Sequence, residues 1–310
     1  MEIDIVTKEE YDATVSNPFS RFESSNFIEL NKHKVDEIFY FVFRNSKNRL
    51  ALAGGIKDGT LKFPFSATYG IFSEISKDNR IECYIESLTS LKGWALEKGI
   101  KTIIFNTPAL CYGVDHITKF QNALVNTGFK LIAYDLNYEF NLNKFTQDYL
   151  TTIDHCARKN FKTAQKNNLS FTKTDDVDLV YDIIKRNRES RGFPLRMTLD
   201  EVKKTSKIIP SDFFIVYDEN NNGIASSLVH HLKSDLVRVV YWGNTVESEL
   251  LRPINFLSYN LFNYYKSLNV IKTVDIGTST VDSIPNEGLC AFKESIGCNC
   301  SPKMNYSIDF

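Results

Sequence analysis

The chain has 310 residues, 43% hydrophobic and 24% charged, with 37 basic against 38 acidic side chains. That length exceeds one ordinary core and fits two domains, and the apolar content offsets the ordering entropy of folding, which excludes long-range disorder. A net charge of −1 gives no overall pull toward nucleic acid or an anionic membrane, though a local basic patch remains open.

No apolar run is long enough to cross a bilayer, and residues 1–10, with four acids, do not read as a secretory leader. The expectation is a cytoplasmic protein with no membrane insertion.

Residues 38–43 are bulky β formers, 45–48 a turn and 50–56 a return strand, so this stretch reads as a hairpin. Asp58, Gly59 and Thr60 turn into a further strand at 61–65. From Asn79 the period changes, because Ile81, Ile85, Leu88, Leu91, Trp94 and Ala95 recur at helical spacing as far as Gly99. A strand at 101–105, a helix at 117–125 and a long strand at 130–140 close the first half. Residues 141–210 read as mostly helical.

The same order then returns. Strands at 213–217 and 224–231 flank a turn, 236–242 adds a third antiparallel strand, and a helix buries Ile254, Leu257, Leu261, Tyr264 and Leu268. A strand at 273–276, a short helical piece at 289–295 and a last strand at 304–310 complete the chain. Set side by side, the exits Asn106-Thr107-Pro108 and Gly277-Thr278-Ser279 align the two halves. The fold class expected is therefore α/β, mixed sheets built from a tandem duplicated unit. The expected domains are 1–143 and 144–310, with the site in the second.

Four stretches carry residues suited to chemistry. Arg158, Lys159, Lys162 and Lys166 lie in one helix, where spacings of three and four put Arg158, Lys162 and Lys166 near one face. They hold a diphosphate or nucleotide, or they are a solvated surface. Residues 186–196 run from a basic helix end, including Arg191, into a Gly-Pro turn, which is either part of an anion site or a solvated charge run. Tyr241-Trp242-Gly243-Asn244 ends an antiparallel strand just before a helix starting near Pro253. A splayed strand there would offer free backbone amides to a thioester carbonyl or a phosphate.

In the fourth stretch Asp275 sits within an apolar strand, where an ionised carboxylate is costly unless paired. It is a structural anchor or a site residue. Lys293 follows on a helical segment that could steady a developing oxyanion, with surface exposure as the alternative, and Glu294 is the nearest candidate base. Of His230 and His231, successive on a strand, only one can face any given site.

The six cysteines are scattered, and Cys298 and Cys300 have a single residue between them with no second pair or nearby histidine, so they read as ordinary thiols with no metal. There is no serine nucleophile elbow, phosphate-loop lysine motif, dinucleotide glycine fingerprint or zinc-protease helix.

These residues resemble the GNAT-like acyl-CoA N-acyltransferases of the FemABX type. The likeness rests on the basic helix at 158–168, Arg191-Gly192-Phe193-Pro194, Tyr241-Trp242-Gly243, Asp275-Ile276-Gly277 and, above all, residues 288–297. The resemblance implies a twin fold that moves an acyl or aminoacyl group onto an amine, such as a nucleotide-sugar or cell-wall precursor. It makes Lys293 the lysine of the family's Phe-Lys motif, at the acyl-transfer site.

The resulting assignment gives Tyr241, Asp275 and Lys293 to catalysis, Trp242, Gly243 and Asn244 to the acyl-CoA donor, and Arg158, Lys162 and Arg191 to substrate phosphates. Acetyl-CoA-dependent members often carry a glycine-rich loop before the central helix, whereas residues 244–253 contain no glycine. Nor is there the long helical arm of some tRNA-using relatives. Aminoacyl transfer from tRNA and a binding protein without chemistry are the alternatives.

Overall fold

The computed structural model describes residues Met1–Phe310 and divides them into two units. Unit 1 holds 1–136, 282–284 and 301–310, and unit 2 holds 137–281 and 285–300.

Unit 1 opens with β1 (Glu2–Val6), α1 (Lys8–Thr14) and α2 (Ser25–Asn31). A capping box starts α1: Thr7 Oγ1 accepts from the Glu10 amide while the Glu10 carboxylate accepts from the Thr7 amide. The meander β2 (Glu37–Arg44), β3 (Asn48–Lys57) and β4 (Thr60–Phe63) follows, with β5 (Ser73–Glu74) paired to β3. Then come α3 (Ile81–Glu97), β6 (Thr102–Asn106), α4 (Val114–Asn126) and β7 (Lys130–Asn141). Residues 39–43 of β2 are buried in succession, so this strand is covered on both faces. Aromatic contacts fill the interior, among them the Phe63–Phe105 stack at 4.6 Å.

The stretch expected to be mostly helical contains α5 (Tyr149–Thr152), α6 (His155–Lys166), α7 (Val177–Ser190) and α8 (Leu199–Ser206). It also contains β8 (Ser170–Thr174), an edge strand whose sequence SFTKT has one large apolar residue, Phe171, stacked on Phe214 at 5.1 Å. Four polar residues around one aromatic leave little apolar alternation to read. Next are β9 (Ser211–Tyr217), β10 (Gly223–His231), β11 (Leu236–Asn244), α9 (Pro253–Ser267) and β12 (Thr273–Thr278). The short strands β13 (Thr280–Val281) and β14 (Ile284–Pro285), α10 (Glu287–Ser295) and β15 (Asn299–Asp309) end the chain.

The strand order in unit 1 is β1-β2-β3-β4-β6-β15, and in unit 2 it is β8-β9-β10-β11-β12-β7. Each of these two runs of strands has one parallel step, β4 to β6 and β11 to β12. Each is closed by an antiparallel strand, β15 on β6 and β7 on β12. The element order thus repeats, and the last strand of each run comes from the other half of the sequence. In unit 2 one face of the sheet packs on α9 through Val237, Val239, Leu257, Leu261 and Phe262, and another apolar cluster joins Leu228, Phe213 and Ile215 to α7 through Val180, Ile183 and Ile184.

Candidate active site

The two parallel steps differ. β4 pairs with β6 along its whole length, from Thr60↔Thr102 to Phe63↔Phe105. β11 pairs with β12 only at Leu236↔Thr273, Val237↔Val274 and Arg238↔Asp275, although β11 runs on to Asn244 and β12 to Thr278. Beyond that point the strands part. A register shift on the other side of β11 sets Leu228 opposite Tyr241 and Val229 opposite Val239, leaving Val240 as an extra residue. Such a bulge sharpens the local twist and re-aims the strand.

The root of the fork is polar and buried. Asp275 is fully buried and accepts from Arg238 Nη1, from Asn137 Nδ2 at 2.9 Å and from the Gly277 amide at 2.8 Å. Its carboxylate is therefore paired, as a charge in an apolar strand must be. Glu139 of β7 lies opposite Asp275 in register and is also buried.

Lys293, on α10 and 2% exposed, donates to the carbonyl oxygens of Ile276, Gly277 and Thr278 at 3.1, 2.8 and 3.1 Å. An ammonium has three protons, and here three backbone acceptors face it. Burial pulls its pKa down to about 8, against the opposing pull of Asp275. Beside it the Tyr138 hydroxyl donates to Glu294 Oε1 at 2.7 Å, so the candidate base already holds a proton donor.

Of the three residues expected to act in catalysis, Asp275 and Lys293 converge on Gly277. Tyr241 packs with the α7 cluster, under the Arg188 guanidinium at 5.9 Å, and burial pushes its hydroxyl pKa up. Trp242 turns to the α9 face and meets Phe292 edge-on at 6.0 Å. Gly243 lies under Asn187 of α7, where an added Cβ would sit 2.6 Å from Asn187 Oδ1, and Asn187 Nδ2 donates to the Asn244 carbonyl at 2.7 Å. Asn244 itself is buried and donates to the Thr245 carbonyl at 2.8 Å. Gly243 and Asn244 are thus committed to fixing the far end of β11.

Arg158 and Lys162 share α6, which packs through Phe161 against Tyr259 of α9, ring centroids 4.1 Å apart. Arg191 ends α7 and pairs with Glu249 at 3.2 Å. That glutamate belongs to a 3-10 turn, Val246–Leu251, between β11 and α9. The turn uses its own amides, Ser248 N to the Thr245 carbonyl and Arg252 N to the Glu249 carbonyl.

Arg238, Asn137 and Asn187 were not singled out in the sequence. Arg238 had a readable signal, a cation inside the apolar run Leu236-Val237-Arg238-Val239-Val240, complementary to Asp275 within its own strand. No group of three or more His, Cys, Asp or Glu is placed to hold a metal ion.

No sequence-family model matches the chain, and no curated protein sequence matches it significantly. Solved structures do. The crystal structure of FemX superposes with a TM-score of 0.72 at 15% identity, covering 100% of this chain and 98% of that one. The chain has the tandem GNAT-like fold of FemX.

L-PGS from Bacillus licheniformis shares the fold with a TM-score of 0.60 at 11% identity over 98% of this chain and 92% of that one. A tandem GNAT protein from the clavulanic acid biosynthesis pathway gives 0.55 at 10% identity over 99% and 98%. At these identities the likeness is one of fold. The fold is that of GNAT-like acyltransferases, and no helix of the chain is long and apolar enough to cross a membrane.

Proposed function

We propose that unit 2 transfers an aminoacyl group from the ester of a charged tRNA to an amine acceptor in the cytoplasm, such as a nucleotide-sugar or cell-wall precursor. The observation that carries this reading is the fork between β11 and β12, present in unit 2 and closed at the corresponding step of unit 1. Past Val239 the edge of β11 that faces the fork has no partner strand, and its amides suit the oxygen of a reacting carbonyl. The acceptor nitrogen forms the new C–N bond, the ester C–O bond breaks, and the nitrogen's proton leaves with the ribose oxygen. Lys293 acts by setting the carbonyls of residues 276–278, and hence the β12 wall of the fork.

Acyl-CoA is the less favoured donor. In the 3-10 turn before α9, two amides are already bonded within the turn and no glycine opens a cradle for a CoA diphosphate. The likeness in fold is stronger to FemX, TM-score 0.72, than to the clavulanic acid pathway protein, a structure described as without AcCoA, at 0.55, which supports the same reading.

The test is transfer of radiolabelled amino acid from a mixed charged-tRNA pool to a panel of amino sugars and peptide amines, beside matched reactions with acyl-CoA donors. Amide formation with charged tRNA and not with acyl-CoA is expected. Release of CoA would restore the acyl-CoA reading, and no transfer from either donor would favour a binding protein that has kept the fold.

A further inference from the structure

The stretch from His155 to Thr174 contains five basic residues and no acidic one. Four of them, Arg158, Lys159, Lys162 and Lys166, fall on α6. None of the four makes an ion pair or a side-chain hydrogen bond, whereas cations on the neighbouring helices are held: Arg186 by Asp182, Lys203 by Asp178 and Lys204 by Asp200. The one acid at the helix start, Asp154, is occupied in capping the Cys156 amide. Lys159, Lys162 and Lys166 are exposed and Arg158 is half-buried, because the opposite face inserts Ala157, Phe161 and Ala164 into the core. Four like charges on one surface repel one another in the free protein, a cost that an anionic partner removes.

We propose that this face of α6 is the docking surface for backbone phosphates of an RNA, and that it delivers the ester end of the tRNA donor to the fork. The proposal rests on the reading of unit 2 as an aminoacyl transferase. Arg158, Lys162 and Lys166 are one turn apart, about 6 Å along the axis at each step, so they can meet successive anionic groups on an extended polyanion. Gln165, exposed one residue before Lys166, adds an amide that can bond sugar or phosphate oxygens.

The exposed face carries no large apolar side chain that would enter an acyl-chain region, which separates it from a membrane-binding helix. Position supports the route: α6 packs on α9, and its entry is tied to α10, where the Asp154 amide donates to the Ser295 carbonyl at 3.1 Å. The helix that bears the cations is thus braced against the helix that bears Lys293.

The test measures binding of uncharged tRNA to the intact protein by fluorescence anisotropy at 50 to 300 mM salt, with a Lys159→Ala/Lys162→Ala/Lys166→Ala variant alongside. The variant should bind at least tenfold more weakly at low salt, and the slope of log K against log salt should become shallower by about 2 to 3, one phosphate contact per lysine. A variant that binds as tightly as the parent and with the same slope overturns the surface assignment, and leaves the transferase reading standing if the parent still forms amide. A parent that binds phosphatidylglycerol vesicles and not tRNA also overturns it, in favour of a membrane surface. Loss of tRNA binding in the triple variant while Lys293→Met retains it, with neither parent nor variant forming amide, supports the surface and sinks the transferase reading.

Discussion

Asp275 and Lys293 hold opposite ends of one residue: the Asp275 carboxylate accepts from the Gly277 amide at 2.8 Å, and the Lys293 ammonium donates to the Gly277 carbonyl at 2.8 Å. Gly277 has φ +78, in the left-handed region, and an added Cβ would stand 3.0 Å from Arg238 Nη2. A side chain there is strained by the backbone and crowds the guanidinium. Gly277→Ala should lower stability by about 1–3 kcal/mol and reduce any transfer activity further than the stability loss explains. Urea unfolding and a kcat comparison on the folded variant check this; unchanged stability would mean that the turn is not held as described.

Lys293 gives a prediction in pH. With a pKa of about 8, its ammonium loses a proton, and with it one of its carbonyl contacts, as pH rises through that value. Activity that needs the cation should fall above pH 8, and Lys293→Arg, whose guanidinium stays charged, should remove the alkaline limb even if its rate is lower. Stability runs the other way. Between about 8 and the ordinary 10.5 the unfolded chain holds the proton and the folded chain does not, so this group makes stability rise with pH, by about 3 kcal/mol at most. The difference in unfolding free energy between the parent and Lys293→Met, followed from pH 7 to 10, should grow; a flat difference would place the lysine in water.

The fold was legible where local periodicity and tertiary burial agree. The hairpins at 38–56 and 213–231, α3 and α9 all follow from side-chain spacing, and the repeat follows from their order. β8 was not legible, because an edge strand with one large apolar residue has almost no alternation to read. The exchange of closing strands could not be read either, since pairing of β6 with residues more than 190 positions away is set by no local pattern. At the site, Asp275 declared itself as a charge in an apolar strand, but its partner Arg238 passed as one cation among many. The orientation of Tyr241 depends on the Val240 bulge, which shifts by one residue the alternation a regular strand predicts.

The Arg238–Asp275 pair is buried on both sides, with Arg238 at 9% exposure and Asp275 at 0%. Removing one partner strands a charge, while removing both does not. Arg238→Met should therefore cost about 3–5 kcal/mol, and Arg238→Met/Asp275→Leu should recover much of it unless loss of the Gly277 amide contact dominates. Recovery in stability with no recovery in activity would assign the pair to shaping the fork. Equal cost in single and double variants would show that the backbone contact outweighs the ion pair.

Asn187 and Gly243 fix the far end of β11, so a methyl at position 243 should push α7 away from the strand. An added Cβ would stand 2.6 Å from Asn187 Oδ1, in a site where Asn187 is itself buried. Gly243→Ala is expected to lose about 1–3 kcal/mol through overpacking, and because the Asn187 Cβ would itself stand 2.8 Å from the new methyl, Asn187→Gly in the same chain should leave the double variant losing less than the sum of the two single losses. The paired variants read by thermal unfolding decide it: additive losses would mean that the two positions do not touch.

His230 sets the response to acid. It is 2% exposed, its Nδ1 shares a 2.8 Å contact with Ser211 Oγ, and burial, reinforced by the Arg238 and His231 charges, holds its pKa down to about 3. An unfolded histidine takes a proton near pH 6.5, while the folded one stays neutral. Its stabilising contribution is complete above 6.5 and is lost progressively as pH falls toward about 3, by up to about 1.4 kcal/mol per pH unit. Asp212 adds to the loss only at stronger acidity, since His231, Lys173 and Tyr265 hold its carboxyl well below the usual carboxylate range. Between pH 7 and 5 the parent should therefore lose about 2 kcal/mol more than His230→Asn, which cannot titrate. Parallel curves for the two proteins in urea unfolding over that interval would show that His230 is protonated in the folded chain, contrary to its burial against Ser211.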